Sequence, residues 1–558
     1  MLLNEDLAVR LQAAIRNAQQ AGSLPEFDVP EVPVERPKQA THGDFASPVA
    51  MQLARLARQA PLRIAEAIVA HWAPPAYIGR IEVVAPGYIN MALAADWLAQ
   101  QTDTIRRLGP QFGNVDVGHA QRTQVEYVSA NPVGPLTVGS ARNAVLGDAL
   151  ASVLSAAGYE VQREYYVNDA GSRIRAFAAS LYARYAQALG GEEPVPEDGY
   201  HGHYMIEWGR RLAQEAGDRY LRLPREAALE ELNRRGLEMS LDSIRGDLAS
   251  MGIVYDRWFS ERSLYDDGVF DTVLQILRDG GFVEERDGAI WFKATALDGD
   301  KDEVIVRSDG SPGYFASDIA YHYDKFVLRG FGHVVDVWGA DHQGHVPRMK
   351  AMMRALGLDP ARLTLLIYQL VTLRRGGEIV RLSKRTGDII TLRELLDEIG
   401  PDALRFFLLA RSADSQMDLD LDLAVKQSDE NPVYYVQYAH ARIASILRKA
   451  QGVVPALPIE AGDVSLLTGE PEQMLIRALL RLPEVVTQAA RELAPHHLTY
   501  YAQDLAAVFH SFYRDCRVVS SLPEERDITL ARLKLVDAAR IVLARTLQLM
   551  GMSAPQTM

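Results

Sequence analysis

The sequence predicts an α/β protein in three parts: a small α+β domain, a doubly wound parallel-sheet domain with an insertion, and an all-α C-terminal domain. Three observations carry this. Two stretches, one opening at Thr123 and one at Val334, each read as strand, glycine-containing turn, helix and strand, the βαβ grammar of a parallel sheet. Between them the charged, helix-forming residues 172–245 break the alternation and look like an insertion. From Pro401 onward there is helical periodicity with almost no strand signal. A chain of 558 residues has room for three such units, bounded here as 1–115, 120–400 and 401–558.

Taken in order, Leu3, Leu7, Leu11 and Ile15 form an i,i+4 stripe behind a candidate Asn4 cap, which predicts an amphipathic helix. A proline-rich connector follows, then a helical stretch to about His71 and a strand pair, Ile81 to Met91, around the Pro86-Gly87 turn. Val125, Tyr127 and Val128 begin the first parallel strand, a Pro/Gly loop leads into a helix ending at Gly158, and Val161 to Val167 return as a strand. The second unit runs from Val334 to Trp338, turns at Gly339-Ala340-Asp341, continues as a helix to Gly357 and closes with the strand Leu363 to Leu370. Thr391 with Glu394 three residues on is a capping box that starts another helix.

Lys and Arg number 59 against 73 Asp and Glu, a net charge of -14 that argues against a general polyanion binder but leaves room for a local basic surface. A single cysteine, Cys516, excludes an internal disulfide framework and a cysteine-based zinc site, and suits a reducing cytosol. No apolar run approaches the roughly 18 residues of a membrane span, and Glu5 and Asp6 interrupt any signal-peptide core. These features predict a cytoplasmic protein.

Two loops are candidates for chemistry. Ala130 to Ser140 joins the first parallel strand to its helix, where open α/β sheets bind ligands, and a helix N-terminus at Gly139 and Ser140 suits a phosphate. It contains neither a P-loop nor a dinucleotide fingerprint, and its glycines would serve a plain tight turn equally well. The second loop, Arg381 to Gly387, places Arg381, Lys384 and Arg385 after a Gly376-Gly377 pair, which suits closure over phosphates or a solvated basic turn. His322, His342 and His345 fit no zinc spacing, so no metal site is expected.

The segment SANPVGPLTVGSARNAVLGDAL resembles the first signature of class I aminoacyl-tRNA synthetases in its arginyl form, and RLSKRTG is similar to the second, K-M-S-K-S. EYYVNDAGSRI, GYFASDIAYHYDKF, VDVWGADHQGHVPRMK and DLDLAVKQSDENPVYYVQYAHARI are similar to further arginyl-tRNA synthetase segments in that family's order, from HGDFASPVAMQLA to LAAVFHSFYRDCRV. The resemblance implies an N-terminal tRNA-contacting domain, a Rossmann-like catalytic domain and a helical anticodon-binding domain. It also implies activation of L-arginine by ATP with Mg2+, transfer to tRNA(Arg), and a monomer. Thr137, Ser140, Lys384 and Arg381 then take catalytic roles. Ala130, Asn131, Pro132, Gly134, Pro135, Leu136, Val138, Gly139, Ser383 and Arg385 would hold ATP. Glu126, Ser129, Asn131, Tyr314, Asp318, Asp341 and His342 would line the arginine pocket, because a planar guanidinium with five donors needs carboxylates aimed at it. Tyr434, Tyr438 and His440 would stack on tRNA bases, though their spacing is equally that of a helix core.

The first signature departs from the usual H-x-G-H: it reads Thr137-Val138-Gly139-Ser140, with two hydroxyls where two imidazoles are expected. Arg381 and Leu382 stand where Lys and Met are usual in the second. An active arginyl-tRNA synthetase is the leading expectation. The alternative is a catalytically weakened paralogue that binds tRNA or arginine without efficient charging.

Overall fold

The structure, a computed structural model, describes residues 2–170, 173–380, 390–453 and 459–558. The first helix, Leu3–Gln20, buries Leu7, Leu11 and Ile15 as their spacing requires. Asn4 lies inside it rather than capping it. The Leu2 amide is bonded at 2.9 Å by Glu5, which reaches back one turn. Strands Phe45–Ser47, Tyr88–Leu93 and Ile78–Val84 form an antiparallel sheet with Tyr88–Leu93 in the middle. Helices Val49–Ala57 and Pro61–Ala70 pack on this sheet.

The central sheet has five parallel strands in the order Leu363–Tyr368, His333–Gly339, Arg122–Glu126, Glu160–Val167, Arg257–Ser260. The chain winds outward one way from Arg122–Glu126, then crosses back and winds the other way from His333–Gly339. Connections diverge between those two neighbours, which opens a crevice at their carboxyl ends. Helix Val138–Ala156 is apolar around nearly its whole surface and is correspondingly buried beneath the sheet and the C-terminal helices. Arg405 is fully buried at that junction, donating to Asp148 at 2.6 Å and to the carbonyls of Met251 and Met550.

Residues 173–250 are mostly helical. Arg173–Ala188, His203–Ala216 and Arg225–Ser250 share their own small core of Leu181, Tyr185, Met205, Leu212 and Leu232. A three-stranded antiparallel sheet, Val283–Arg286, Ala289–Phe292 and Glu303–Val306, precedes helix Tyr314–Tyr323. At the C-terminal end, helices Pro432–Val453, Glu470–Leu479, Leu482–Arg491, His497–Asp515 and Arg526–Leu549 pack together. They also hold the N-terminal unit: Arg36 makes two hydrogen bonds to Glu484, at 2.7 and 2.8 Å, and Arg477 reaches Asp44 at 2.8 Å.

Three further details differ from expectation. The first parallel strand stops at Glu126, because Val128 and Ser129 take left-handed backbone (φ 69° and 39°) and turn the chain away. The expected strand Leu363 to Leu370 stops at Tyr368 in the central sheet, and a further strand that was not expected, Val371–Arg375, joins another. Its partner there is Met417–Asp420, a strand inside the region read as all-α. Its four residues alternate apolar and acidic, a period too short to register beside the long helices.

Candidate functional site

The loop that leaves Arg122–Glu126 is anchored along its length. The Val128 amide donates to Asn143 Oδ1 at 2.7 Å, and Asn143 Nδ2 donates to the Val337 carbonyl at 2.9 Å. One side chain therefore ties the ends of both strands that flank the crevice. It also supports the left-handed pair Val128-Ser129, a conformation costly for non-glycine residues unless the surroundings impose it. Tyr127 packs so closely on the helix that a Cβ on Gly147 would sit 2.2 Å from its ring. Further along, the Ala130 carbonyl accepts from Tyr165 at 2.9 Å, and the Val133 carbonyl from Tyr204 of the insertion at 2.8 Å. The Leu136 carbonyl accepts from the Leu392 amide at 2.8 Å.

Helix Val138–Ala156 then begins with Thr137 in extended backbone at its N-cap and Ser140 as its third residue. Thr137 makes no side-chain cap. Space above Gly139 is open: an added Cβ would meet only Thr137 Oγ1, at 3.8 Å. A helix start without a side-chain cap offers free amides and a positive dipole end to an anion.

The opposite wall is acidic. Ser129 donates to Glu126 Oε1 at 2.8 Å and accepts from the Tyr166 amide at 3.1 Å. Buried Lys325 donates to Glu126 Oε2 at 2.6 Å and to Asp336 at 2.8 Å. Burial raises the Glu126 carboxyl against the pull of this ammonium, whereas in Asp336 the burial effect is overridden by Lys325 and His322 and the carboxyl stays well below its usual range. Asp318, on helix Tyr314–Tyr323, is pushed up to about 7 by burial, with Glu126, Glu261 and Asp336 adding to the rise and His322 opposing it. Ser317 donates to Glu261, another carboxyl raised by burial, and Tyr265 lies 2.7 Å from the Ser317 hydroxyl. Such a set of carboxyls calls for a cation to complete it.

Family models match the chain along nearly its whole length. The model described as arginyl tRNA synthetase N terminal domain matches residues 5–93, that of the tRNA synthetases class I (R) catalytic domain matches 108–408, and that of the DALR anticodon binding domain matches 436–558. An arginine–tRNA ligase of Dehalococcoides mccartyi is 50% identical over all of both chains. The chain belongs to the arginyl-tRNA synthetase family. Another arginine–tRNA ligase, from Heliobacterium modesticaldum, is 50% identical over 98% of this chain and 97% of its own. The arginyl-tRNA synthetase of Thermus thermophilus, 24% identical, shares the fold over both whole chains with a TM-score of 0.76. As a class I arginyl-tRNA synthetase, the chain is an enzyme, an arginine–tRNA ligase.

Within this synthetase, Glu126, Ser129 and Asp318 come together at the crevice. Asn131 is exposed on the loop, while Pro132, Leu136 and Val138 bury their side chains, leaving only backbone for a ligand. Tyr314 is 72% exposed, with the Arg307 guanidinium 5.4 Å from its ring centre. Asp341 and His342 are exposed beyond the second strand, 3.4 Å apart, with His342 against Trp338 and His345. Arg381, Ser383, Lys384 and Arg385 lie outside the described residues. In the helical domain Tyr434 and Tyr438 stack with ring centres 5.8 Å apart, and Arg442 covers Tyr438 at 5.0 Å. His440 is a correction: it is 1% exposed and its Nδ1 lies 2.8 Å from the Pro555 carbonyl, so it secures the C-terminal segment and has no free face for a base.

Sequence reading missed Asn143, Arg142, Glu261, Lys325 and Asp336. Arg142 is fully buried and donates to the carbonyls of Gln369, Ser412 and Ser415. A signal existed for Asp336, a charge in the apolar run Val334 to Val337, since an unpaired buried charge is rare.

Proposed function

We propose that this crevice activates L-arginine with ATP, presented with Mg2+, and passes the arginyl group to the terminal ribose of tRNA(Arg). One juxtaposition supports it most: a helix N-terminus without a side-chain cap and the carboxyls of Glu126 and Asp318 flank the same switch point. A phosphate chain and a guanidinium need those two environments side by side. A carboxylate oxygen of arginine attacks the α-phosphorus, and the bond to the bridging oxygen of the β-phosphate breaks as pyrophosphate leaves. A hydroxyl of the terminal ribose then attacks the arginyl carbonyl carbon and AMP departs. No side chain becomes covalently bound, so the protein positions groups and neutralises charge.

Asp318 and Glu126 take the guanidinium, Tyr314 closes one side, and Ser129 and Asn131 meet the substrate's ammonium and carboxylate, with Asp341 and His342 at the far end. Thr137, Gly139, Ser140 and Ser383 hold the phosphates, and Lys384, aided by Arg381 and Arg385, supplies positive charge. The enzyme acts as a cytoplasmic monomer. Charging bulk tRNA with each amino acid in turn tests the reading. Arginine alone should be attached; attachment of a different amino acid, or of none, overturns it.

A pH dependence follows from Asp318. With its carboxyl near 7 in the empty pocket, arginine must displace a proton at lower pH. The KM for arginine should therefore rise about tenfold per pH unit below 7 and level off above it. Asp318→Asn should flatten this dependence. A KM in the parent enzyme that is constant down to about pH 5.5 would contradict it.

The stacked Tyr434 and Tyr438, with Arg442 beside them, form a platform for unpaired tRNA bases. Despite the net charge of -14, tRNA affinity should fall steeply with salt, because phosphate contacts release counterions. A filter-binding titration that shows no salt dependence would argue against a local basic tRNA surface.

A further inference from the structure

Beneath the acidic wall lies a buried ionic chain that the reaction as described does not use. Lys325 is 0% exposed and sits on a π-helical turn, Asp324–Leu328, that continues helix Tyr314–Tyr323. The wider turn re-aims its side chains, a device common at functional sites. Its ammonium bridges Glu126 and Asp336, residues of the two strands that border the crevice, and lies 4.0 Å from the Tyr321 ring centre. The other oxygen of Asp336 is 2.9 Å from His322 Nε2, and His322 Nδ1 is 2.7 Å from the backbone carbonyl of Asp318. Both ring nitrogens thus face oxygen atoms.

We propose that Lys325 is a positioning residue for arginine selection: it holds Glu126 from behind and, through Asp336 and His322, the turn that carries Asp318. The proposal rests on the reading of Glu126 and Asp318 as the guanidinium's partners. A compact ammonium suits the task, since it serves two carboxylates at once without imposing a planar fork. The groups facing it are Glu126 and Asp336 from the strands and Tyr321 and His322 from its own helix. Around them lie Glu164, which accepts from Tyr321 and pairs with Arg329, and the carboxyls of Asp318 and Glu261. Without a buried cation these carboxyls would repel one another into protonation, and a neutral acid is a poor partner for a guanidinium.

The test compares Lys325→Met, Lys325→Arg and the pair Lys325→Met with Asp336→Asn, which leaves no unpaired Asp336 if the single change does not fold. Folding is checked by circular dichroism, and KM and kcat are measured for arginine and for ATP across pH. In the folded Met variant the arginine KM should rise at least about tenfold, with ATP KM within about twofold, a split that general loosening would not produce. The pH at which arginine KM begins to rise should move upward by about one unit, because a positive charge has left the carboxyls. Lys325→Arg should recover part of the KM. The double variant should keep the raised KM while its pH profile moves back toward the parent's. Unchanged arginine KM and pH profile in either folded Met-containing variant would overturn the proposal. If Asp318→Asn also leaves arginine KM unchanged, the pocket reading itself fails; if Asp318→Asn raises it and the Lys325 variants do not, only the role of Lys325 fails.

Discussion

Asp318→Ala should raise the KM for arginine roughly 100-fold while leaving the KM for ATP close to its parent value. The guanidinium cannot lose its proton, so removing its carboxylate strands a charge in the pocket. Truncating one partner of a fully buried pair costs about 3 to 5 kcal/mol. Asp318 is only half-buried, so water can reach the vacated place and the lower end applies. The neighbouring carboxyls set the sign of any compensation. Glu126 is already engaged by Lys325 and Ser129, and Glu261 by Ser317, so neither is free to replace Asp318 fully. Steady-state charging at saturating ATP and tRNA measures the effect, and an unchanged arginine KM would sink the assignment.

Thr137→Val should slow arginyl-adenylate formation at least about tenfold. Thr137 stands at the N-cap of helix Val138–Ala156 without capping it, and Ser140 follows one turn on; on the function proposed above, their hydroxyls serve where the family's first signature usually has imidazoles. A preorganised donor aimed at charge that develops in the transition state is worth about 2.7 to 4 kcal/mol. A hydroxyl is smaller and water can stand in for it, which brings the expected loss down toward tenfold. Valine keeps the shape of threonine, so the helix start should survive. Single-turnover adenylation with saturating arginine, ATP and tRNA isolates the step. A rate equal to the parent's would make Thr137 a spectator, and an enzyme that forms adenylate only as Thr137→His with Ser140→His would mark the chain as a weakened paralogue.

Elements with strong local periodicity were legible. The stripe from Leu3 to Ile15, both βαβ units, the Thr391–Glu394 capping box and the long C-terminal helices were all readable, because each depends on residues within a turn or two of one another. Legibility failed where a short element depends on a distant partner. Met417–Asp420 is a strand only because Val371–Arg375 lies beside it, and Val371–Arg375 in turn leaves the central sheet, where Leu363–Tyr368 stays, to meet it. His440 illustrates the same limit at a single residue. Its place beside Tyr434 and Tyr438 on one helix left stacking open, and the carbonyl of Pro555 closed it.

Within the candidate site the division is similar. Sequence alone determined the family's motifs, the loop at a strand's end and the acidic residues available to a cation, since these are properties of contiguous segments. Tertiary structure decided the strand order that places Arg122–Glu126 beside His333–Gly339, and with it the crevice. It also decided which charge neutralises which: Lys325 meets Glu126 across 199 positions of chain. Burial makes such a pairing obligatory without naming the partner in the local sequence, because a charge taken out of water must be matched by whatever the fold brings within about 3 Å.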